Sequence, residues 1–186
     1  HMLTRRQILI SALTSFAGGG LLKKAKAAYT KKDAHTHTKP SSEHQDRTHY
    51  TPVVKTNGST LTYKIKNGVK EFHLIAEPVE REFAPGMKVK CWGYNGQTPG
   101  PTIEAVEGDR VRILVTNKLP EHTTIHWHGI FLPNGMDGVG GLNQPHIKPG
   151  ETYVYEFTLK QNGTFMYHPH ADEMVQLAVG MMGFFI

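Results

Sequence analysis

The sequence of 186 residues contains one cysteine, Cys91. A single cysteine cannot form a disulfide within the chain, which excludes intrachain cross-links as a source of stability. Residues 87–92 alternate between apolar and polar side chains, and Cys91 falls on the apolar side of this pattern. We therefore predict a buried core thiol in a β-strand.

The sequence also lacks an uninterrupted apolar run long enough to cross a membrane. The apolar stretch at residues 8–22 is short and contains three consecutive glycines, Gly18 to Gly20. It follows the twin arginine Arg5-Arg6 and precedes Ala25-Lys26-Ala27, a small-x-small pattern. This order predicts a cleavable twin-arginine (Tat) export signal at residues 1–27 and a periplasmic protein. An ordinary amphipathic N-terminal helix is the alternative.

The chain has no excess of positive charge once this signal is set aside. The whole chain has 21 basic and 16 acidic residues, but five of the basic residues and none of the acidic ones lie in residues 1–27. The remainder is therefore neutral. Nucleic-acid binding needs a clustered basic face, so we expect no nucleic-acid partner, and no membrane association after cleavage.

Helical periodicity is likewise absent from the rest of the chain. Residues 28–54 are polar and irregular, and they contain four histidines, which predicts a flexible linker with loose metal affinity at most. From residue 55 onward, short alternating segments are separated by turn signals such as Asn67-Gly68 and Pro149-Gly150. Short strands at this interval predict an antiparallel β-sandwich or barrel.

Histidine, unlike cysteine, is abundant in the sequence. Two pairs have His-x-His spacing, His126-Trp127-His128 and His168-Pro169-His170. Residues two apart in a strand share a face, so each pair is expected to point two imidazoles the same way. Imidazole ligands without thiolate suit copper, zinc, iron or nickel, and the spacing does not choose among them.

Four segments together resemble the first cupredoxin domain of a bacterial multicopper oxidase of the laccase and copper-resistance type. They are His126-Trp-His-Gly129, His168-Pro-His170, residues 92–102 (WGYNGQTPGPT) and residues 179–186 (VGMMGFFI). The resemblance implies an all-β Greek-key cupredoxin sandwich at residues 55–186. It also implies copper as cofactor, bound by half of the ligands of a trinuclear site.

The resemblance assigns these ligands individually. His126 would bind the type 2 copper, and His128, His168 and His170 would bind type 3 coppers. The remaining four ligands would come from a C-terminal cupredoxin domain. The parent activity implied is four-electron reduction of oxygen to water, with electrons from phenols or Cu(I).

The type 1 copper motif of that family, a cysteine flanked by histidines, is missing from the sequence. The chain also ends within an apolar strand pattern, which suggests a truncation. We therefore expect this chain to bind copper without laccase turnover when it is alone. Two alternatives remain: a stand-alone copper-binding or storage module, and a homo-oligomer that pools half-sites.

Asp137 lies nine residues after His128 in a glycine-rich loop. The resemblance gives it a role as a proton relay during oxygen reduction, and a turn aspartate without function is the alternative. Three single histidines, His73, His122 and His146, are interpreted as surface or core residues. Met181 and Met182 are expected to pack in the core rather than to bind Cu(I).

Overall fold

The structure is a computed structural model that describes residues 51–56 and 58–186. The predicted export signal and most of the predicted linker lie outside the described residues. The described chain forms eight strands: β1 (Tyr63–Lys66), β2 (Val69–Ala84), β3 (Met87–Tyr94), β4 (Arg110–Asn117), β5 (His126–His128), β6 (Thr152–Thr158), β7 (Phe165–His168) and β8 (Gly183–Phe185). The helical elements are a 3₁₀ turn, Asn134–Met136, and one short helix, α1 (Glu173–Gln176). In this part of the chain, no helix has the length and apolarity needed to cross a membrane.

Five strands form the first sheet, in the order β1-β2-β4-β6 with β3 paired to β2. The 16-residue strand β2 organises this sheet, because β4 lies along its first half and β3 along its second. β2 and β4 run parallel, from Lys70 opposite Val111 to Ala76 opposite Asn117. The strand pattern predicted antiparallel neighbours only. A parallel pair needs a long crossover connection, and β3 together with residues 95–109 provides it.

The second sheet contains three antiparallel strands in the order β5-β7-β8. A hydrophobic core with contributions from both sheets packs between them. Along β4, the alternate residues Val111, Ile113 and Val115 are fully buried, as expected for one of the alternating segments after residue 55. Trp127 and Tyr167 enter the same core from the second sheet and are also fully buried. The predicted β-sandwich class is thus the class observed.

The hairpin of β2 and β3 departs from the predicted pattern at its tip. Cys91 is buried, as expected, and lies opposite Val79. Met87 belongs to the same predicted apolar face, yet 57% of it is exposed, as is 56% of Phe83 on the facing strand. The hairpin extends beyond the core at this end, so apolar side chains on either of its faces are exposed to solvent.

Trp127 is the largest fully buried side chain among the described residues, and it contacts the rings of Tyr155, Phe157 and Phe185. Replacing Trp127 by alanine is expected to lower the free energy of unfolding by about 3–5 kcal/mol, through lost burial and an unfilled cavity. Urea unfolding followed by circular dichroism measures this change. The control Phe131→Ala, at a side chain that is 68% exposed, should shift stability by no more than about 0.5 kcal/mol. Equal effects of the two substitutions would contradict this description of the core.

Candidate metal centre

The pairing of β5 with β7 brings three of the predicted histidines together. His126 lies directly opposite His168 in the antiparallel register, and His128 lies opposite Met166. Trp127 and its partner Tyr167 point into the core, so the histidines on either side of Trp127 point outward.

Their three imidazoles form a nearly equilateral triangle. Ring centroids lie 5.5 Å apart for His126 and His128, 5.3 Å for His126 and His168, and 5.4 Å for His128 and His168. One nitrogen from each ring lies within 4.8 Å of the other two. The His128 Nδ1 to His168 Nε2 distance is 3.1 Å. We call these three residues the histidine cluster.

His170 lies beside the histidine cluster rather than within it. Strand β7 ends at His168, because Pro169 has no N–H to continue the ladder. The expectation that His168 and His170 share the face of one strand is therefore wrong. The His170 ring lies 6.5 Å from that of His168 and 5.6 Å from that of His126. Its backbone N–H donates to Thr124 Oγ1 at 3.2 Å, which ties it to the segment before β5.

Backbone carbonyls select the tautomers of two cluster histidines. His126 Nδ1 lies 2.7 Å from the carbonyl oxygen of Asp137, and His168 Nδ1 lies 2.9 Å from that of Pro169. A carbonyl oxygen can only accept a hydrogen bond, so each Nδ1 carries the proton and is the donor. Each Nε2 is then unprotonated and carries the lone pair that ligates a metal, and that of His168 accepts a hydrogen bond from His128 Nδ1.

Gly138 allows the loop of Asp137 to approach His126 this closely. Its φ is +84°, and a Cβ there would lie 1.7 Å from the carbonyl oxygen of Ile125. No side chain fits this space, so the loop would have to move away for any other residue. Gly138 thus maintains the hydrogen bond that orients His126.

Burial keeps His168 in its neutral form. It is 3% exposed, and this desolvation lowers its pKa below the ordinary histidine value, with a smaller contribution in the same direction from His126 and His128. The Pro169 carbonyl and the Glu173 carboxylate act in the opposite direction. A neutral imidazole does not have to lose a proton before it binds a cation.

Two carboxylates flank the histidines. Asp137 Oδ1 lies 3.4 Å from His126 Nδ1, on the side away from that ring's free nitrogen. Glu173, at the start of α1, lies 3.6 Å from His168 Nδ1 and 3.9 Å from His170 Nε2. Glu173 was not among the residues predicted from the sequence, although it follows His170 by three residues.

The chemistry of the donors fits a first-row transition ion. The three converging groups are imidazoles, two of them in the tautomer that presents Nε2. Such a set favours copper, zinc, iron or nickel over the oxygen-preferring Mg²⁺ and Ca²⁺.

Comparison with known proteins selects among these metals. Residues 76–186 match the family described as multicopper oxidase. Copper resistance protein A of Escherichia coli is 54% identical over 94 residues, which are 50% of this chain and 16% of that protein. Multicopper oxidase mco of Staphylococcus aureus is 42% identical over 108 residues, 58% of this chain and 24% of that protein. The aligned part of the chain thus covers less than a quarter of the length of these relatives.

Solved structures of multicopper oxidases are similar to this chain as well. A multicopper oxidase from Pseudomonas thermotolerans aligns with a TM-score of 0.62 at 44% identity, over 63% of this chain and 29% of that one. A metallo-oxidase from Campylobacter jejuni aligns with a TM-score of 0.62 at 35% identity, over 69% and 28%. The predicted cupredoxin-type fold is confirmed. The family match and the histidine cluster together imply copper.

Glu173→Gln is expected to weaken Cu(II) binding by about 10- to 100-fold, because it removes a negative charge beside two of the histidines while preserving side-chain shape. Competition titration against a chelator of known affinity measures the change. The matched control is Glu80→Gln, at an exposed carboxylate of the same type in the β2–β3 hairpin. Equal affinities of the Glu173 and Glu80 variants would show that Glu173 does not tune the site.

Proposed function

This chain belongs to the multicopper oxidase family, and from that premise we propose that it supplies half of the ligands of a trinuclear copper site. The proposal rests on the three nitrogens of the histidine cluster, which lie within 4.8 Å of one another. His170 would be the fourth ligand, since its exposed ring lies 5.6 Å from that of His126. Facing ligands would come from a C-terminal cupredoxin domain.

Copper bound in such a site would supply the electron-transfer chemistry for the reduction of oxygen to water. The residues of this chain hold the site in place for it. His126 and His168 are held by backbone carbonyls, so their free nitrogens are oriented before a metal arrives. The buried His168 and the more exposed His128 form an inner and an outer edge of the site.

Asp137 is the proposed proton carrier. Its carboxylate lies 3.4 Å from His126 Nδ1, and its Oδ2 accepts a hydrogen bond from Asn143 Nδ2 at 3.5 Å. About one-third of the side chain is exposed, so it can take a proton from solvent at Oδ1 or Oδ2 and hold it beside the copper ligands. A purely structural turn aspartate would not need this position.

The partner is expected to cover the outward face of the second sheet. His128, Met166 and Phe184 lie side by side on this face across β5, β7 and β8, and Phe184 is 54% exposed. Apolar groups beside an open ligand set favour a protein contact. The C-terminal cupredoxin domain is the first candidate, and a second copy of this chain, facing it across a two-fold axis, is the other.

Tight copper binding is expected to depend on the histidine cluster. The double substitution of His126 and His168 by alanine should weaken Cu(II) affinity by more than about 100-fold, because two ligands that lie opposite each other are lost. Deleting residues 28–54, with their four histidines, should leave the affinity unchanged. Metal analysis and competition titration give copper per chain and affinity.

Measuring the mass in solution on the same samples separates the alternatives. One chain per particle at all copper concentrations fits a domain awaiting its partner or a stand-alone storage module. A copper-dependent dimer or higher species fits pooled half-sites. Tight binding that survives in the double variant would mean that the ligands are misassigned.

Export is the remaining part of the proposal. We propose that residues 1–27 direct the chain to the periplasm by the twin-arginine route, supported by Arg5-Arg6 and the Ala25-Lys26-Ala27 pattern. Replacing both arginines by lysine should abolish export while retaining charge. Cell fractionation and N-terminal sequencing test this, and mature protein that begins before Lys23 would contradict it.

A further inference from the structure

Two histidines outside the histidine cluster contact each other. The rings of His122 and His146 lie 4.4 Å apart between centroids, at an interplanar angle of 68°. From the sequence both were expected to stand alone, because 23 residues separate them along the chain. Their contact therefore arises from the fold.

Backbone pairing aligns the two residues that follow them. Thr123 and Ile147 exchange both backbone hydrogen bonds, at 3.0 Å and 2.9 Å, in an antiparallel bridge. The preceding residues, His122 and His146, are diagonal neighbours across this bridge. Diagonal neighbours share a face and can bring long side chains into contact.

Buried amides hold this backbone in place from two sides. Asn117 Nδ2 donates to the carbonyls of Glu121 at 2.7 Å and Ile147 at 2.9 Å. Gln176 Nε2 donates to the carbonyl of His122 at 2.9 Å. Asn117 and Gln176 are both fully buried, so the segments that carry the two histidines are constrained by rigid neighbours.

The His146 ring is seated against Gly140. A Cβ on Gly140 would lie 2.5 Å from both Cδ2 and Nε2 of His146, so the ring occupies space that a larger residue would take. His122 is exposed and His146 half-buried, which leaves the pair accessible to an ion from solvent. Two adjacent imidazoles on a constrained backbone can chelate a cation at low entropic cost.

We infer that His122 and His146 form a second, mononuclear site for a divalent first-row transition ion, with water in the remaining positions. Two imidazole nitrogens favour Cu(II) first and Zn(II) or Ni(II) after it. The site is independent of the histidine cluster, since it uses neither its residues nor its strands. Helix α1 lies next to both, with Glu173 beside His168 and Gln176 bonded to the His122 carbonyl.

Zn(II) is a suitable probe because it is diamagnetic and binds imidazole. Titrating the full chain at pH 7.5 and following each histidine ring by ¹H–¹³C NMR gives a separate midpoint for each residue. We expect the resonances of His122 and His146 to shift together with one midpoint. This midpoint should lie at a lower Zn(II) concentration than the midpoint of His73. His73 is an exposed histidine whose Nε2 bonds Thr116, and it serves as the single-histidine reference.

His122→Asn should raise the His146 midpoint by at least about tenfold, because one of two protein ligands is lost. His73→Asn is the matched control and should leave it unchanged. Gly140→Ala provides a second variant, which should displace the His146 ring and raise the His122 midpoint. An unchanged His146 midpoint in His122→Asn, or a response of the pair no earlier than that of His73, would overturn the inference and leave a packing contact only.

A variant without the histidine cluster distinguishes this inference from the proposed function. In the His126→Ala and His168→Ala double variant, the response of His122 and His146 should persist while the cluster response is lost. Loss of the pair response there would contradict an independent site. A missing cluster response in the wild-type chain would count against the proposed function alone.

Discussion

The antiparallel register of β5 on β7 is the constraint on which the site depends. It sets His126 opposite His168 and, in the same step, sends Trp127 and Tyr167 into the core. A shift of one residue would exchange these two sets, exposing the aromatics and burying the histidines. Because burial of Trp127 is strongly favourable, packing of the core and orientation of the ligands are secured by the same pairing.

The loop backbone orients the histidines that the strands bring together. The carbonyls of Asp137 and Pro169 each accept a hydrogen bond from a cluster histidine, and so they decide which ring nitrogen is unprotonated. Both acceptors are main-chain oxygens, so the side chains of Asp137 and Pro169 do not make these contacts. Each contact depends on where the loop runs, and for Asp137 that path requires glycine at position 138. The tautomers of His126 and His168 are thus set by backbone geometry.

The pairs of histidines differ in how well their positions could be predicted from the sequence. His126 and His128 lie in a strand around a core tryptophan, and alternation alone predicts that both face outward. His168 and His170 have the same spacing, but Pro169 ends the strand between them and His170 leaves the cluster. The proximity of His122 and His146 has no local signal, since it comes from a bridge between distant segments.

Local pattern and composition therefore determined much of this protein. Short alternating segments predicted a β-sandwich, a buried Cys91 and the inward faces of the strands, because side chains in a strand alternate between core and solvent. Tertiary structure alone decided the parallel pairing of β2 with β4, the distances within the histidine cluster and the approach of Glu173. These features join residues far apart along the chain, and only the packing of two sheets around a common core brings such residues within bonding distance.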